Sequence, residues 1–328
     1  CLGYGLWIIA GSFWVLVLSR TIGGIASGNL SVATASIADV TSRKDRSKGM
    51  AIVGIAFGLG FVLGPALGGY ASSWDWSDGS SAALALSPFS LAAVISFCLA
   101  VVNLVWLATR FRETLPVEKR GQENEQSRPA IFQIGNVANS AVRNTCLSYL
   151  CYMISFSGME FTLTFLAVER YLYEPKDITS MFLLIGFTLI FAQGFFVRRF
   201  VGKIGEKNMA LQGIILGFVA FLLLSLPSSE TWFFFALFLM SCGVAFISPT
   251  LTALTSLHSS EKDQGFNLGI FRSSGSIARA CGPILAGLTY FLFGSTFAYT
   301  IGAFLLLIPF LILLRVPKPV RDEIIDES

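Results

Sequence analysis

Three charged side chains stand inside apolar segments of the sequence, where a charge is costly and therefore informative. Arg272 and Arg279 lie in the string GIFRSSGSIARACGP, and Glu160 lies in SFSGMEFTLTF. A guanidinium group is a permanently charged planar fork that suits carboxylates and similar anions, and a carboxyl group can take up and release a proton. These residue types predict an anionic substrate bound by the arginines and a coupling proton on Glu160. The alternative is a static ion pair between Glu160 and Arg279 or Arg20.

The spacing of the two arginines places them on one face of a helix. Seven residues correspond to about 10 Å along a helix axis, and Arg279 lies roughly 13 residues into its predicted helix, near the middle of a bilayer. A charge at that depth costs about 3 kcal/mol or more on insertion scales, so it is expected to face protein or water. We expect both arginines to line one wall of a cavity, with extension to the cytoplasmic surface as the alternative for Arg272.

The elements that carry these residues are predicted to be transmembrane helices. The chain has 328 residues, 54% of them hydrophobic and 13% charged. Its apolar runs of roughly 20 residues match the thickness of a bilayer, and a spanning segment must satisfy its backbone internally. The predicted helices are 13–40, 48–72, 82–109, 144–168, 178–200, 209–226, 231–256, 266–293 and 296–315, and residues 1–10 end one more.

Lys and Arg are concentrated in alternate connecting segments, which sets the predicted orientation. The basic segments SRKDRSKG, 110–143, RRFVGKIGEK and the tail from 315 are expected on the cytoplasmic side. The net charge of +3 therefore reflects membrane topology and does not indicate nucleic-acid binding.

The predicted fold is an all-α polytopic membrane protein made of two helical bundles. Residues 1–109 are expected to belong to an N-terminal bundle, 110–143 to a cytoplasmic linker, 144–316 to a C-terminal six-helix bundle and 317–328 to a cytoplasmic tail. Because the chain begins with Cys1 inside an apolar run, we interpret it as a fragment lacking about two and a half N-terminal helices.

An internal repeat supports two related bundles. Residues 41–69 align without a gap on residues 259–287, sharing a polar SxKD pattern and a later Gly-Pro. Parallel repeats joined by a linker are typical of transporters that rock two bundles about a midplane site. In the first repeat, Gly54 and Phe61 stand where the second has its two arginines. The fold alone therefore does not require the arginines, which favours a role in substrate binding.

Glycines at four-residue spacing predict helix faces that pack closely. Small residues let another backbone approach, and Pro weakens the local hydrogen-bond ladder, so the string GFVLGPALGG reads as a packing and bending motif. The predicted packing residues are Gly24, Gly28, Gly60, Gly64, Pro65, Gly68, Gly69, Gly282 and Pro283.

These strings resemble motifs of the major facilitator superfamily. GxxxGPxxGG resembles the antiporter motif of its fifth helix, and RTIGGIASG (20–28) resembles the fourth-helix RxxxGxxxG pattern of proton-coupled drug exporters. RETLPVEKR and FRSSGSIARACGP look most like the tetracycline-transporter-like branch in animals, which implies organic anion transport. The resemblance covers essentially the whole chain and implies twelve helices, one central cavity and alternating access. It also implies proton handling by Arg20, for which a helix–helix hydrogen bond is the alternative.

Three further charges stand at the cytoplasmic end of the helix that carries Arg20. Asp39, Arg43 and Arg46 are interpreted as a gating group or a loop salt bridge rather than as substrate contacts.

Taken together, these patterns predict a secondary transporter that exports amphipathic organic anions in exchange for protons. The alternatives are an exporter of cationic or zwitterionic, tetracycline-like drugs, and a non-transporting scaffold or sensor. The sequence has no Gly-rich nucleotide loop followed by Lys, a single His and no CxxC pair, so we expect no catalytic residue, metal or cofactor. We expect a monomer in the plasma membrane or an internal membrane, with no nucleic-acid partner.

Overall fold

The computed structural model describes residues 1–26, 74–111, 134–135, 137–227, 229–260 and 263–319, together with scattered residues between 36 and 71. Across these ranges the chain is helical, apart from its connections and one isolated antiparallel pairing of Ala10 with Leu84. The chain forms two compact units, Cys1–Asn124 and Glu125–Ser328. Within the described ranges, seven helices are long and apolar enough to cross a membrane.

Serine hydroxyls join three described helices of the first unit, α1 (Leu2–Ile8), α2 (Phe13–Ile25) and α3 (Ser90–Arg110). Ser19 Oγ of α2 donates to the carbonyl of Gly3 at 2.8 Å, and Ser90 Oγ of α3 donates to that of Ile8 at 2.6 Å. Helices in a membrane gain little from the hydrophobic effect, so such hydrogen bonds and small-residue contacts hold α1 between its neighbours.

The described residues of the second unit form eight α-helices. They are α4 (Ser140–Tyr171), α5 (Pro175–Phe191), α6 (Arg198–Ile204), α7 (Glu206–Ser225), α8 (Glu230–Leu257), α9 (Gln264–Phe293), α10 (Ser295–Leu305) and α11 (Leu307–Leu314). A π-helical turn, Ala192–Val197, joins α5 to α6, and Leu306 joins α10 to α11. Each of these pairs therefore forms one membrane span.

The ends of α4 differ from the predicted boundaries. The helix begins at Ser140 instead of 144, because Asn139 Oδ1 accepts a hydrogen bond from the Ala141 N–H at 2.9 Å and caps it. It ends where Leu172 takes a left-handed conformation with φ 54°. Residues 140–143 are thus helical rather than part of the linker. At about 1.5 Å per residue, the 32 residues of α4 exceed a hydrocarbon layer of about 30 Å, so α4 reaches beyond it.

Glycine contacts bring α7 and α8 together. A Cβ atom added to Gly213 would lie 2.8 Å from the carbonyl oxygen of Gly243 and 2.6 Å from Cγ1 of Ile247. Only glycine leaves room for this approach, and it gives the helix pair backbone-to-backbone van der Waals contact. The same device recurs between α4 and α9, which carry the candidate site.

Candidate substrate-binding site

The helices α4 and α9 cross with their backbones in contact. A Cβ on Gly158 would lie 2.9 Å from the carbonyl oxygen of Gly282, and one on Gly282 would lie 2.6 Å from that of Ile154. Beside the crossing, Ser157 Oγ donates to the carbonyl of Ala278 at 3.0 Å. The crossing fixes the two helices against each other close to two charged residues. Glu160 follows Gly158 by two residues, and Arg279 precedes Gly282 by three.

Five side chains form what we term the central cluster: Tyr149, Tyr152 and Glu160 on α4, with Arg272 and Arg279 on α9. Arg279 interacts electrostatically with both Glu160 and Tyr149, and Arg272 interacts with Tyr149. Tyr152 interacts with Tyr149 and with Glu160. The structure therefore brings the three sequence-predicted residues into one electrostatic group.

The charged members of the central cluster remain accessible, whereas its tyrosines are buried. Arg279 is exposed, Arg272 and Glu160 are half-buried, and Tyr149 and Tyr152 are only 8% and 4% exposed. The cluster thus presents two permanent positive charges and one carboxyl group on a wall of buried aromatic rings. Such a wall suits an amphipathic anion, because it offers charge for the head group and apolar surface for the rest.

Tyr149 and Tyr152 are functional candidates that the sequence analysis missed. The Tyr149 ring stacks on that of Phe271, with centroids 4.0 Å apart and planes at 15°, and Tyr152 stacks on Phe156 at 6.0 Å. A tyrosine in an apolar helix is ordinarily a packing residue, so composition gave no signal. The signal present in the sequence is the spacing of residues 149, 152, 156 and 160, which recur on one helical face.

A cavity near the α4–α9 crossing is too small to hold the substrate. Its volume is about 70 Å³, and its wall includes Ser155, Thr162 and Tyr299. Sites for drug-sized ligands usually occupy roughly 300–1,000 Å³. The central cluster, not this cavity, is therefore the candidate site within the second unit.

Arg20 lies in the first unit, where aromatic rings hold it. Its guanidinium carbon is 4.2 Å from the ring centroid of Trp7 and 5.6 Å from that of Tyr4, and Nη2 donates to Ser19 Oγ at 3.4 Å. The side chain is exposed. Cation–π contacts of this kind stabilise a guanidinium group beside aromatic rings.

The predicted packing glycines of the first unit make fewer contacts than Gly282. A Cβ on Gly24, Gly60, Gly64 or Gly68 would meet no described atom within 4 Å. Pro283 lies half-buried inside α9. The remaining predicted residues of the first half, Gly28, Pro65, Gly69, Asp39, Arg43 and Arg46, lie outside the described residues.

A second polar group, which we term the end cluster, was also missed by the sequence analysis. It consists of Glu169 and Arg170 at the end of α4 with Tyr290 and Ser295 near the α9–α10 turn. Glu169 accepts hydrogen bonds from the Tyr290 hydroxyl and, at 2.9 Å, from Ser295 Oγ. Arg170 Nη1 donates to the carbonyls of Leu224 and Leu226 at 2.8 and 2.7 Å, and Nη2 to that of Ser225 at 3.2 Å.

The end cluster supplies hydrogen bonds to carbonyl groups at the C-terminus of α7, which have no partner within the helix. The positive charge of Arg170 also interacts favourably with the negative end of the helix dipole. It connects three parts of the second unit, because Arg170 Nη2 also lies 3.3 Å from Ser295 Oγ. Within the described residues, no group of His, Cys, Asp and Glu side chains is placed to hold a metal ion.

The geometry of charged, membrane-spanning helices agrees with what comparison with known proteins shows. The family model described as Major Facilitator Superfamily matches residues 1–258 and, in a second match, residues 177–327. The chain belongs to the major facilitator superfamily. It is accordingly a transporter and an integral multi-pass membrane protein, and not an enzyme.

Individual relatives cover nearly all of this superfamily member. The mouse "Major facilitator superfamily domain-containing protein 10" is 32% identical over 98% of this chain and 71% of its own length. The Escherichia coli "Tetracycline resistance protein, class B" is 27% identical over 88% of this chain and 69% of its own length.

Solved structures of the superfamily agree. The crystal structure of "the human organic anion transporter MFSD10 (TETRAN)" matches with a TM-score of 0.77 and 32% identity, covering 95% of this chain and 74% of that one. A bacterial homologue of the human lysosomal transporter Spinster matches with a TM-score of 0.57 and 15% identity, which supports the fold alone.

Proposed function

We propose that this protein is a proton-coupled exporter of amphipathic organic anions, and that the central cluster binds the anion. The observation that carries the proposal is the pair Arg272 and Arg279, held on one face of a membrane-spanning helix. Two permanent charges in a span are costly unless they serve a ligand or a partner charge. Among the described residues of the central cluster, two guanidinium groups and one half-buried carboxyl group give a net positive charge, which attracts an anion.

The choice of arginine favours an anion over a cation. A guanidinium donates two parallel hydrogen bonds to a carboxylate or sulfonate, and it repels a cationic drug. The human protein with 32% identity is described in its structure as an organic anion transporter. Its description supports the same substrate class for this chain.

Glu160 is the residue we assign to proton coupling. It lies within electrostatic reach of Arg279, so the presence of an anion on that arginine changes the energy of the carboxylate. In the proposed cycle, Glu160 is ionised while the anion is bound and takes up a proton after the anion leaves toward one side. It releases that proton on the other side before the next anion binds, so one proton moves opposite to each anion. Alternating access exposes the cluster to the two sides in turn.

The experiment that tests the substrate class is flux into proteoliposomes containing the full-length protein. Radiolabelled naphthalene-2-sulfonate is the probe, because it stays ionised and does not cross the bilayer as a neutral acid. Benzyltrimethylammonium is its cationic counterpart. We expect sulfonate flux that a pH gradient accelerates, and little flux of the cation. Flux of the cation alone would instead establish the tetracycline-like alternative, and no flux of either would favour a scaffold or sensor.

Variants locate the site within the same assay. Arg279→Ala is expected to lower sulfonate flux by about tenfold or more, since one hydrogen-bonded charge contributes about 1.5–3 kcal/mol. Arg199→Ala removes the same charge from an exposed position on α6 and is the matched control, with flux near that of the parent. Equal flux in both variants would remove the central cluster from the proposal.

A second pair of variants tests the coupling role. Glu160→Gln is expected to retain sulfonate exchange but to lose acceleration by the pH gradient, because the amide carries no exchangeable charge. Glu174→Gln, at an exposed carboxyl group between α4 and α5, is the control. Unchanged acceleration in Glu160→Gln would leave Glu160 with a static ion-pair role only.

A further inference from the structure

Tyr149 is held in one position by two residues of the neighbouring helix. Its ring stacks on Phe271 at 4.0 Å, and a Cβ on Gly275 would lie 2.7 Å from Tyr149 Cε1 and 3.2 Å from its hydroxyl oxygen. Phe271 and Gly275 are four residues apart and share one face of α9. The ring therefore lies along that face, with its hydroxyl end at the level of Gly275.

This position puts the hydroxyl between the two arginines. Arg272 precedes Gly275 by three residues and Arg279 follows it by four, so both lie on the helical face on which the phenol rests. Both guanidinium groups interact electrostatically with Tyr149. Two further titratable groups of the described part of α4, Tyr152 and Glu160, interact with each other.

The chemistry of a phenol differs from that of its charged neighbours in one useful respect. A guanidinium has only donors, whereas a tyrosine hydroxyl accepts one hydrogen bond and donates another. A hydroxyl between two arginines is able to accept from one of them and to donate its own proton to an anion bound by both. It adds direction to the site without adding charge.

We infer that Tyr149 is a specificity-determining residue of the anion site, whose hydroxyl donates a hydrogen bond to the substrate's anionic group, and that Gly275 is glycine to give its ring room. The inference rests on the proposed function of the central cluster. It goes further by naming a neutral donor and the two residues of α9 that fix it. A substrate whose charged group accepts three hydrogen bonds, such as a sulfonate, uses this arrangement fully.

The test is a double-mutant cycle in naphthalene-2-sulfonate flux, with the full-length protein in proteoliposomes. Tyr149→Phe keeps the ring and its stacking but loses the donor, and we expect KM to rise about tenfold with maximal flux little changed. Gly275→Ala displaces the ring and is expected to raise KM similarly. In the Tyr149→Phe background, Gly275→Ala is expected to leave KM unchanged, because no hydroxyl remains to be displaced.

Thermal stability, measured in the same four proteins, separates binding from packing. The atom nearest to the methyl group added in Gly275→Ala is Tyr149 Cε1, which phenylalanine also has, so most of the effect on Tm is expected to persist in the Tyr149→Phe background. If the KM effects of the two substitutions add like the Tm effects, Gly275 acts only through packing and the inference is overturned.

Arg279→Ala, measured in parallel, separates the two proposals. A wild-type KM in Tyr149→Phe together with impaired Arg279→Ala overturns the role of Tyr149 alone. A wild-type KM in both variants overturns the proposed function as well.

Discussion

The central cluster and the end cluster each contain an arginine and a glutamate, and each includes residues of α4 and α9. The charges have different roles in the two clusters. Arg170 directs its two terminal nitrogens at three carbonyls that end α7, and Glu169 accepts from two hydroxyls. Arg279 is exposed, and Glu160 meets it through electrostatic interaction rather than a fixed hydrogen bond. Arg170 uses its donors on the protein itself, whereas Arg279 presents its donors on an accessible surface.

The difference teaches how to separate structural charges from functional ones in a membrane bundle. A charge that ends a helix and satisfies backbone carbonyls has lost its capacity to bind a ligand. A charge on the open face of a span has kept it. By this criterion, Arg170 contributes mainly to the free energy of unfolding and Arg279 mainly to transport.

The largest expected effect comes from removing the structural arginine. Arg170→Ala leaves the carbonyls of Leu224, Ser225 and Leu226 without their charged donor, and we expect it to destabilise the protein by about 3 kcal/mol. Thermal unfolding of the detergent-solubilised protein measures this. Arg279→Ala is the control and is expected to keep the parent Tm; a similar loss in both would erase the distinction between the clusters.

A somewhat smaller effect is expected at the crossing that supports the central cluster. Gly282→Ala would place a Cβ against Ser157 Oγ and 2.6 Å from the carbonyl oxygen of Ile154, so we expect a loss of about 2 kcal/mol from forced separation of the helices. Gly269→Ala, on the same helix with no described atom within 4 Å of the added Cβ, is the matched control. Equal melting temperatures in the two variants would show that the crossing tolerates movement.

The two glutamates of α4 sharpen the comparison further. Glu169→Gln exchanges a charged acceptor of two hydrogen bonds for a neutral one, and we expect a loss of about 1.5 kcal/mol with the pH-gradient response intact. Glu160→Gln is expected to show the opposite pattern, with Tm near that of the parent and the response lost. Thermal unfolding and sulfonate flux on both variants check this, and an identical pattern in the two would contradict the assignment.

The smallest effect is expected outside the spans, between α4 and α5. Burial and the hydrogen bond that the Tyr173 hydroxyl donates to Glu230 at 2.6 Å raise the pKa of Tyr173. A raised folded-state pKa means that this stabilisation is complete below about pH 10, the ordinary tyrosine value, and falls as the pH rises further. We expect Tyr173→Phe to cost about 1 kcal/mol at neutral pH and to remove part of the alkaline loss in Tm. If the loss in Tm at alkaline pH is the same in Tyr173→Phe as in the parent, other groups cause that loss.

The sequence predicted the seven described membrane spans well, because hydrophobic length alone specifies them, but it predicted their ends less well. The cap at Asn139 starts α4 four residues before the predicted start, and such a cap is a local hydrogen bond that hydropathy does not register. The predicted helix 144–168 left Glu169 and Arg170 in a loop, because a span of one bilayer thickness ends before them. In the structure α4 is longer than one bilayer thickness and includes both residues.

The candidate site was predicted only in its charges. Arg272, Arg279 and Glu160 stand out because apolar surroundings make charges conspicuous. Tyr149 and Gly275 do not stand out, because each is an ordinary residue in an apolar helix and becomes informative only when α4 and α9 are paired. Helix pairing depends on tertiary contacts such as the one between Gly158 and Gly282, which periodicity within one segment cannot specify.

The π-helical turn Ala192–Val197 changes which residues lie on the same face of its span. A π turn holds one residue more than an α turn, so residues after it are rotated by about 100° from the positions that an unbroken α-helix would give them. The basic side chains Arg198, Arg199 and Lys203 owe their direction to that extra residue. A deletion of one residue within 192–197 would restore a regular helix and swing this basic segment by more than a quarter of a turn, although every side chain in it stayed the same.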